Sequence, residues 1–215
     1  MRVIMRFSKG EEIKYISHLD LQRLFQRALR RAKLPCAYSQ GFNPHMIISF
    51  ACALPLGVCS SAEYAEIQLE KYVHPSDVMK KMNEVLPAGV KILNAIEPKE
   101  GYPNVGSVIA LAEYTFENDG DASEILKEFL SKSEIMVEKK TKKGQALVNV
   151  RPMIHRLTQT QDGIKATLSC SNSENLRADK LQELLNESGI EIRKTERNSI
   201  FIINEGRLEE PIAVN

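Results

Sequence analysis

Apolar and polar positions in the first hundred residues repeat with two periods, one typical of strands and one typical of helices. From Arg2 to Ser8 every second residue is apolar, which predicts a half-buried strand. Apolar residues then recur at helical spacing as far as Ala32, and Ser17 with Asp20 three positions later predicts where that helix begins. The remaining patterns predict strands at 46–53, 65–69 and 90–96, and a helix after Pro75.

The second half of the chain repeats this order of elements. Residues 97–107 are rich in proline, glycine and polar residues, which predicts a linker that buries little. The patterns beyond it predict a strand, a helix, a hairpin of 134–140 with 146–159 around the lysine-rich tip, then strand, helix and strand. We therefore expect an α+β protein made of two tandem ferredoxin-like (βαββαβ) domains with antiparallel sheets. The predicted domains are 1–100 and 107–204, the second with the hairpin as an insertion, and 205–215 is predicted to be a loose tail.

Composition narrows the class of protein. The 29 basic and 28 acidic residues balance, so total charge indicates neither a nucleic-acid nor a membrane partner. No apolar run approaches the roughly 18–20 residues that span a bilayer, and the N-terminus is charged where a signal peptide is apolar. The cysteines form no CxxC pair, so we expect no metal site and no cofactor. We expect a cytoplasmic protein. The cysteines are Cys36, Cys52, Cys59 and Cys170.

Positive charge is concentrated near the N-terminus, where residues 1–50 contain nine Lys or Arg and three acidic residues. Arg23, Arg27 and Arg30 follow one another at helical spacing and line one side of the predicted first helix. Guanidinium groups bind phosphates in bidentate fashion, so this face is a candidate site for an anion or a nucleic acid. An ordinary solvated helix face explains the pattern equally well. The Lys139–Gly144 tip is a candidate second phosphate contact, although a solvated charge run explains it better.

The loop after this helix, Tyr38–His45, combines turn residues with aromatic ones. Gly41 permits a positive φ angle, and Tyr38 and Phe42 could stack on a planar ligand such as a base, with Gln40 between them. A purely structural connection, in which the aromatic rings cover the core, is the alternative.

Two histidines flank the same region. His18 falls in the first turn of the predicted helix, and His45 ends the loop. A pair of histidines could cleave RNA by general acid–base catalysis without a metal ion. The sequence favours the alternative, in which His18 is a helix-cap residue and His45 a turn residue, because the spacing fixes no third catalytic group beside them.

The motifs SHLDLQRLFQRALRRAKLP, AYSQGFNPH, ALPLGV and SAEYAEIQL, followed by VRPMI and NLRADKL, together resemble the uncharacterised bacterial radical SAM-linked protein family. Members of that family occur as separate chains or as the C-terminal part of B12-binding radical-SAM proteins. The resemblance implies a radical-SAM enzyme as partner. The chain itself lacks the three closely spaced cysteines that hold the cluster of such an enzyme.

These observations lead to one hypothesis and two alternatives. The hypothesis is an accessory protein that binds RNA, or another phosphate-bearing ligand, for the partner enzyme. Arg23, Arg27 and Arg30 would hold phosphates, Tyr38 and Phe42 would stack on bases, and His18, Gln40 and His45 would contact the ligand at the loop mouth. The alternatives are a metal-independent ribonuclease that uses His18 and His45, and a module that binds only protein.

Overall fold

The computed structural model describes residues 1–141 and 144–212, and within them the chain is a mixed α+β protein. The helices are α1 (His18–Arg31), α2 (Pro75–Asn83), α3 (Val105–Val108), α4 (Ser123–Ser131) and α5 (Ala178–Glu187). The strands are β1 (Arg2–Lys9), β2 (Ile48–Phe50), β3 (Cys59–Gln68), β4 (Val90–Ile96), β5 (Ile109–Asn118), β6 (Met136–Thr141), β7 (Gly144–Asn149), β8 (Ile154–Thr160), β9 (Gly163–Ser169), β10 (Ile192–Asn204) and β11 (Arg207–Glu209).

Nine of these strands form one continuous sheet. Seven follow in the order β4-β1-β3-β10-β5-β9-β8, while β2 pairs with β3 and β11 pairs with β10. The pairings are antiparallel except for one short parallel contact, in which Glu196 and Arg197 of β10 lie beside Cys59 and Ser60 of β3. This contact joins the first half of the chain to the second. Because all the other pairings are antiparallel, the predicted α+β class with a mostly antiparallel sheet is confirmed.

Two clusters of buried apolar side chains pack against the sheet. The first contains residues of the first half only, among them Phe7 of β1 and Phe25 of α1. The second is formed mainly by the second half, among them Phe116 of β5 and Leu181 of α5, but Ile4 of β1 also belongs to it. β1 is therefore buried on both faces rather than on the one face that its alternation predicted. In the part of the chain that is described, no helix is long and apolar enough to cross a bilayer.

The predicted linker covers the second face of the first half. Val105 is completely buried, and Arg2 donates hydrogen bonds to the carbonyl oxygens of Tyr102 and Pro103. Glu66, which alternation placed on the solvent face of β3, is buried beneath this segment and accepts hydrogen bonds from Arg2 and from the backbone NH of Val105. The segment therefore covers part of β3 through Val105, although most of its residues are exposed, as expected of a linker.

Two predictions about the second half also differ from the structure. The hairpin of β6 and β7 lies outside the main sheet, and a short 3-10 turn at Arg151–Met153 separates β7 from β8. Pro152 in that turn breaks what was predicted as one long strand. The tail is not loose as far as it is described, because β11 pairs with β10 and Ile212 is buried. Lys142 and Lys143 of the lysine-rich tip lie outside the described residues.

Candidate phosphate-binding surface and buried polar junction

The first helix begins where its sequence predicts. Ser17 caps α1, since its Oγ accepts a hydrogen bond from the backbone NH of Asp20 at 3.1 Å and donates one to Asp20 Oδ2 at 2.7 Å. Leu21, Phe25 and Leu29 face the core, which leaves the arginines on the outer surface of the helix. The sequence thus positions these guanidinium groups through simple amphipathic spacing.

The arginines of α1 have different surroundings. Arg23 forms an ion pair with Asp20 at 3.0 Å, so its charge is partly neutralised. Arg27, Arg30 and Arg31 line a surface depression of about 530 Å3 together with Leu24 and Pro87. Arg31 also donates a hydrogen bond to the Val85 carbonyl at 2.6 Å, which fixes its guanidinium at the rim. Arg31, which the sequence analysis did not select, therefore belongs to this surface.

Arg27 and Arg30 are the cations of this depression that remain free to bind a ligand. Both are exposed. Among the described residues, no carboxylate oxygen lies within the 4.0 Å that defines an ion pair with either of them. Two unpaired guanidinium groups one helical turn apart form a candidate anion-binding surface, because they can hold adjacent phosphates.

The loop at 38–45 is an exposed projection. The Ser39 backbone NH donates to the His45 carbonyl at 2.8 Å, and the His45 NH donates to Ser39 Oγ at 3.0 Å, which closes the base of the loop. Gly41 has a φ of +124°, as the sequence analysis expected. Phe42 at the tip is fully exposed and Gln40 is exposed, while Tyr38 is partly held by its pairing with Met46. The Phe42 ring therefore covers no part of the core, while Tyr38 is only 39% exposed.

The depression and the loop lie towards opposite edges of the first half of the sheet. Pro87 lies three residues before β4, which is one edge of the order β4-β1-β3-β2, whereas the loop leads into β2 at the other edge. The loop is anchored there by hydrogen bonds from Ala37 to Gln68 and from Ile47 to Ala37. None of the residues that line the depression belongs to the loop.

His18 and His45 are also separated. The His18 ring packs edge-on against the Phe50 ring, with centroids 5.5 Å apart, at the end of β2. His45 is five residues earlier on an extended segment, roughly 16 Å away at about 3.3 Å per residue. In the part of the chain that the structure describes, no hydrogen bond or ring contact joins the two imidazoles. Among the described residues, no set of three or more His, Cys, Asp or Glu side chains is arranged to hold a metal ion.

A polar cluster that the sequence analysis missed is buried where the two halves join. Its centre is Arg197 of β10, which is 1% exposed. The Arg197 side chain donates hydrogen bonds to Tyr114 Oη at 3.1 Å, to the Ala53 carbonyl at 3.0 Å and to Cys52 Sγ at 2.9 Å. Its Nη1 also lies 3.0 Å from Oε1 of Glu63, which is 4% exposed. That contact is an ion pair without a well-directed hydrogen bond. One guanidinium thus connects both halves of the chain.

Two further cationic contacts lie beside this junction. Lys9 of β1 is buried and donates hydrogen bonds to the carbonyl oxygens of Lys14 and Ile16, and burial lowers the pKa of its amine. Lys194 of β10 lies 3.3 Å from Glu11, so a surface ion pair also bridges the halves. Hydrogen bonds from Lys14 and Cys59 lower the pKa of Glu11 to about 2. The junction is therefore stabilised by ion pairs as well as by backbone pairing between β3 and β10.

Two thiols meet in the same junction. Cys170 Sγ lies 3.2 Å from Cys52 Sγ, although the two residues are 118 positions apart. The hydrogen bond between them lowers the pKa of the Cys170 thiol, and the same bond together with burial raises that of Cys52. The Arg197 charge offsets part of the rise in the pKa of Cys52 and adds to the fall in the pKa of Cys170. The pair therefore shares one proton once it has ionised, and behaves as a unit rather than as two separate thiols.

Two buried tyrosines near this junction differ in whether their hydroxyl groups are hydrogen-bonded, and substituting each one tests what that hydrogen bond contributes to stability. Tyr64 Oη has no hydrogen-bond partner among the described residues, and burial raises its pKa. Because no hydrogen bond is lost, we expect Tyr64→Phe to change the free energy of unfolding by less than about 0.5 kcal/mol relative to the wild-type protein, or to increase it. The matched control is Tyr114→Phe, which removes the hydrogen-bond acceptor of Arg197 Nε and should lower the free energy of unfolding by about 1–3 kcal/mol. Urea titrations followed by circular dichroism measure both, and equal losses would contradict this account.

Comparison with known families places the chain in a group without an established activity. Residues 2–178 match the family described as "uncharacterized protein conserved in bacteria (DUF2344)". The chain belongs to this family. The matched region includes the arginines of α1, the loop and both junction cysteines, and it ends before Arg197 of β10. A search of curated proteins finds no relative that matches. The family therefore confirms the expected bacterial group, while its link to radical-SAM enzymes stays a prediction.

Proposed function

We propose that this member of the family is an accessory protein that binds RNA, or another phosphate-bearing ligand, through the arginine depression of α1. One observation carries the proposal: Arg27, Arg30 and Arg31 line the same depression, and the first two have no carboxylate partner among the described residues. Surface arginines that serve only solubility usually have acidic residues interspersed among them. A depression of about 530 Å3 offers space for part of a phosphate backbone.

A flexible polyanion suits this surface better than a compact small molecule. The depression is shallow and carries charge at its rim, and it lacks the convergent buried polar groups typical of a small-molecule pocket. RNA that runs across α1 towards the loop would place phosphates on Arg27 and Arg30 and a base on Phe42 or Tyr38. Gln40 and His45 would contact the ligand at the loop, and His18 would do so at the start of α1.

The strand order supports a finer description of the fold. In the first half the order is β4-β1-β3-β2, and in the second half β10-β5-β9-β8, each from a βαββαβ sequence of elements once the β6–β7 hairpin is set aside. Both correspond to the antiparallel order of a ferredoxin-like sandwich. Two tandem ferredoxin-like units that share one sheet are therefore the proposed architecture.

The proposed partner is a radical-SAM modification enzyme in the cytoplasm. Support comes from the motif resemblance between Ser17 and Leu69, and from the absence of a cluster-binding cysteine triad in this sequence. Co-purification of such an enzyme from nuclease-treated bacterial extract would favour a direct contact. A partner that is lost on nuclease treatment would instead be bridged by RNA. The ribonuclease alternative has no support from the positions of His18 and His45.

Charge reversal in the depression tests RNA binding. We expect the wild-type protein to bind a fluorescein-labelled single-stranded RNA of mixed sequence, with an affinity that falls steeply as salt rises. Arg27→Glu/Arg30→Glu should weaken binding by at least about tenfold, because two phosphate contacts are lost and two repulsions are added, and it should flatten the salt dependence. Fluorescence anisotropy at several salt concentrations measures both effects.

A matched control separates the site from net charge. Lys127 of α4 and Arg156 of β8 are exposed and lie in the second half, so Lys127→Glu/Arg156→Glu changes the total charge by the same amount. We expect this variant to lose less than about threefold in affinity, since only long-range attraction changes. Equal losses in both variants, or no RNA binding by the wild type at low salt, would overturn the proposal. Competition by inorganic triphosphate would indicate a smaller phosphate-bearing ligand.

A further inference from the structure

The junction of the two halves contains a pair of thiols in a setting that favours oxidation. Cys52 Sγ lies 3.2 Å from Cys170 Sγ and 2.9 Å from Arg197 Nη1. A disulfide needs sulfurs about 2.05 Å apart, so the two atoms need to approach by only about 1 Å. Cys52 belongs to the irregular segment between β2 and β3, which can make that adjustment more easily than a strand.

The surroundings distinguish this pair from the other two cysteines. Burial raises the pKa of the Cys36 and Cys59 thiols to about 11, and neither has an arginine in contact. The Cys52–Cys170 pair has the Arg197 guanidinium at hydrogen-bond distance, and a cation at that distance stabilises a thiolate. The pKa of the Cys170 thiol is the lowered one of the pair. Transfer of the shared proton from Cys52 to Cys170 places the negative charge on Cys52, which is the more exposed cysteine of the two and contacts Arg197.

Access to the pair is narrow. Cys52 lines a crevice of about 10 Å3 whose other walls include His18, Phe50 and Glu63. A space of this size is at the lower limit for a single water molecule, so an oxidant reaches the pair where the partly exposed Cys52 meets solvent. Hydrogen peroxide is a small molecule, whereas a peptide disulfide such as oxidised glutathione is far larger. The narrow access therefore favours a small oxidant.

We propose that Cys52 and Cys170 are a peroxide-reactive dithiol that closes to a disulfide between the two halves of the chain. The Cys52 thiolate attacks one oxygen of hydrogen peroxide, so an S–O bond forms, the O–O bond breaks, and the departing hydroxide takes a proton to become water. Cys170 then attacks the Cys52 sulfur, the S–S bond forms, the S–O bond breaks, and a second water leaves. In total two thiols are oxidised by two electrons, and one peroxide is reduced to two waters.

The disulfide would add a covalent link where the halves are now joined by a short parallel pairing and by ion pairs. Closing it joins Cys52 of the first half to Cys170, which follows β9 of the second half. A cross-link across such a long loop restricts the unfolded chain and so raises the stability of the folded one. The oxidised protein should therefore have the higher thermal midpoint, and the reductant-treated protein should return to the original one.

The experiment uses the full chain carrying Cys36→Ser/Cys59→Ser, so that only the pair remains. After one equivalent of hydrogen peroxide and alkylation under denaturing conditions, intact mass should show the loss of two hydrogens and no alkylated thiol. A non-reducing digest should contain one cross-linked peptide with Cys52 and Cys170. Adding Cys170→Ser should instead leave a Cys52 sulfenic acid that a dimedone probe captures. Oxidised glutathione should react with the pair at least about tenfold more slowly than peroxide, because its size excludes it.

Other results would overturn the proposal. Two alkylated thiols after peroxide treatment, or oxygen added to Cys52 without cross-linking, would show that the pair does not close. Faster oxidation of Cys36 or Cys59 than of the pair in the wild-type chain would show that Arg197 and the crevice confer no selectivity. If the double serine variant does not fold, peptide mapping of the peroxide-treated wild-type chain answers the same question, since the four cysteines can be separated by digestion.

Discussion

Arg197→Met is expected to lower the free energy of unfolding by about 3–5 kcal/mol, because it leaves the buried Glu63 carboxylate without its counter-charge. The methionine side chain can occupy much of the same space, so the loss comes from charge rather than from a cavity. The Cys52 thiol, the Ala53 carbonyl and Tyr114 Oη lose their donor in the same step. Chemical unfolding of the full chain, followed by circular dichroism, measures the effect.

Two further variants show whether the effect belongs to the ion pair. Arg193 lies on the same strand, but it is exposed and pairs with Asp119 at 3.0 Å, so Arg193→Met should change stability by less than about 1 kcal/mol. Arg197→Met/Glu63→Gln should regain at least about 1 kcal/mol relative to Arg197→Met, because the buried charge is removed with its partner. A double variant that is no more stable than Arg197→Met would place the loss in the other hydrogen bonds of Arg197.

The elements that the sequence predicts well are those whose signal is local. The strand at Val90–Ile96 has the predicted limits, and α1 begins at the Ser17 cap because serine and aspartate at that spacing satisfy the first NH groups of a helix. His74 likewise caps α2, with its Nδ1 accepting from the Ser76 NH. In each of these cases the deciding interaction spans only a few residues, so it can be recognised without the rest of the fold.

The features that the sequence misses depend on distant partners. Arg6 and Glu66 stand at positions that alternation assigns to solvent, but both are buried because residues from the linker and the tail cover that face. Glu210 pairs with Arg6 at 2.7 Å across 204 positions of sequence. No local pattern encodes such pairings. A charged residue in a strand is indistinguishable from a solvated one until the topology is known.

The candidate site also has features that local sequence predicts and features that depend on distant partners. Amphipathic spacing correctly places the arginines on the outside of α1, and Phe42 of the loop is exposed, while a role for either in binding stays a prediction. Their relation to one another was not predictable, since it depends on which sheet edge each segment joins. Arg197, Glu63 and the two thiols come from β10, β3 and two loops, and they meet only because β3 and β10 pair. No local sequence motif could therefore predict the junction.

Phe25→Ala is expected to lower the free energy of unfolding by about 3–5 kcal/mol and to loosen the first half selectively. The Phe25 side chain is completely buried, and its ring lies 4.8 Å from that of Phe7 and 5.2 Å from that of Phe50. Removing it opens a cavity between α1 and the sheet. The two apolar clusters are largely separate, so the second core should keep its packing.

Hydrogen exchange of the full chain, compared segment by segment, measures where protection is lost. For Phe25→Ala we expect faster exchange in α1 and β1, with β8 and β9 nearly unchanged. The matched control is Phe129→Ala, which removes a buried ring from α4 of the second core and should show the reverse pattern. RNA binding should weaken in Phe25→Ala alone, because α1 carries the arginine depression. Equal loss of protection throughout the chain in both variants would mean that the shared sheet makes the two halves one cooperative unit, despite their separate cores.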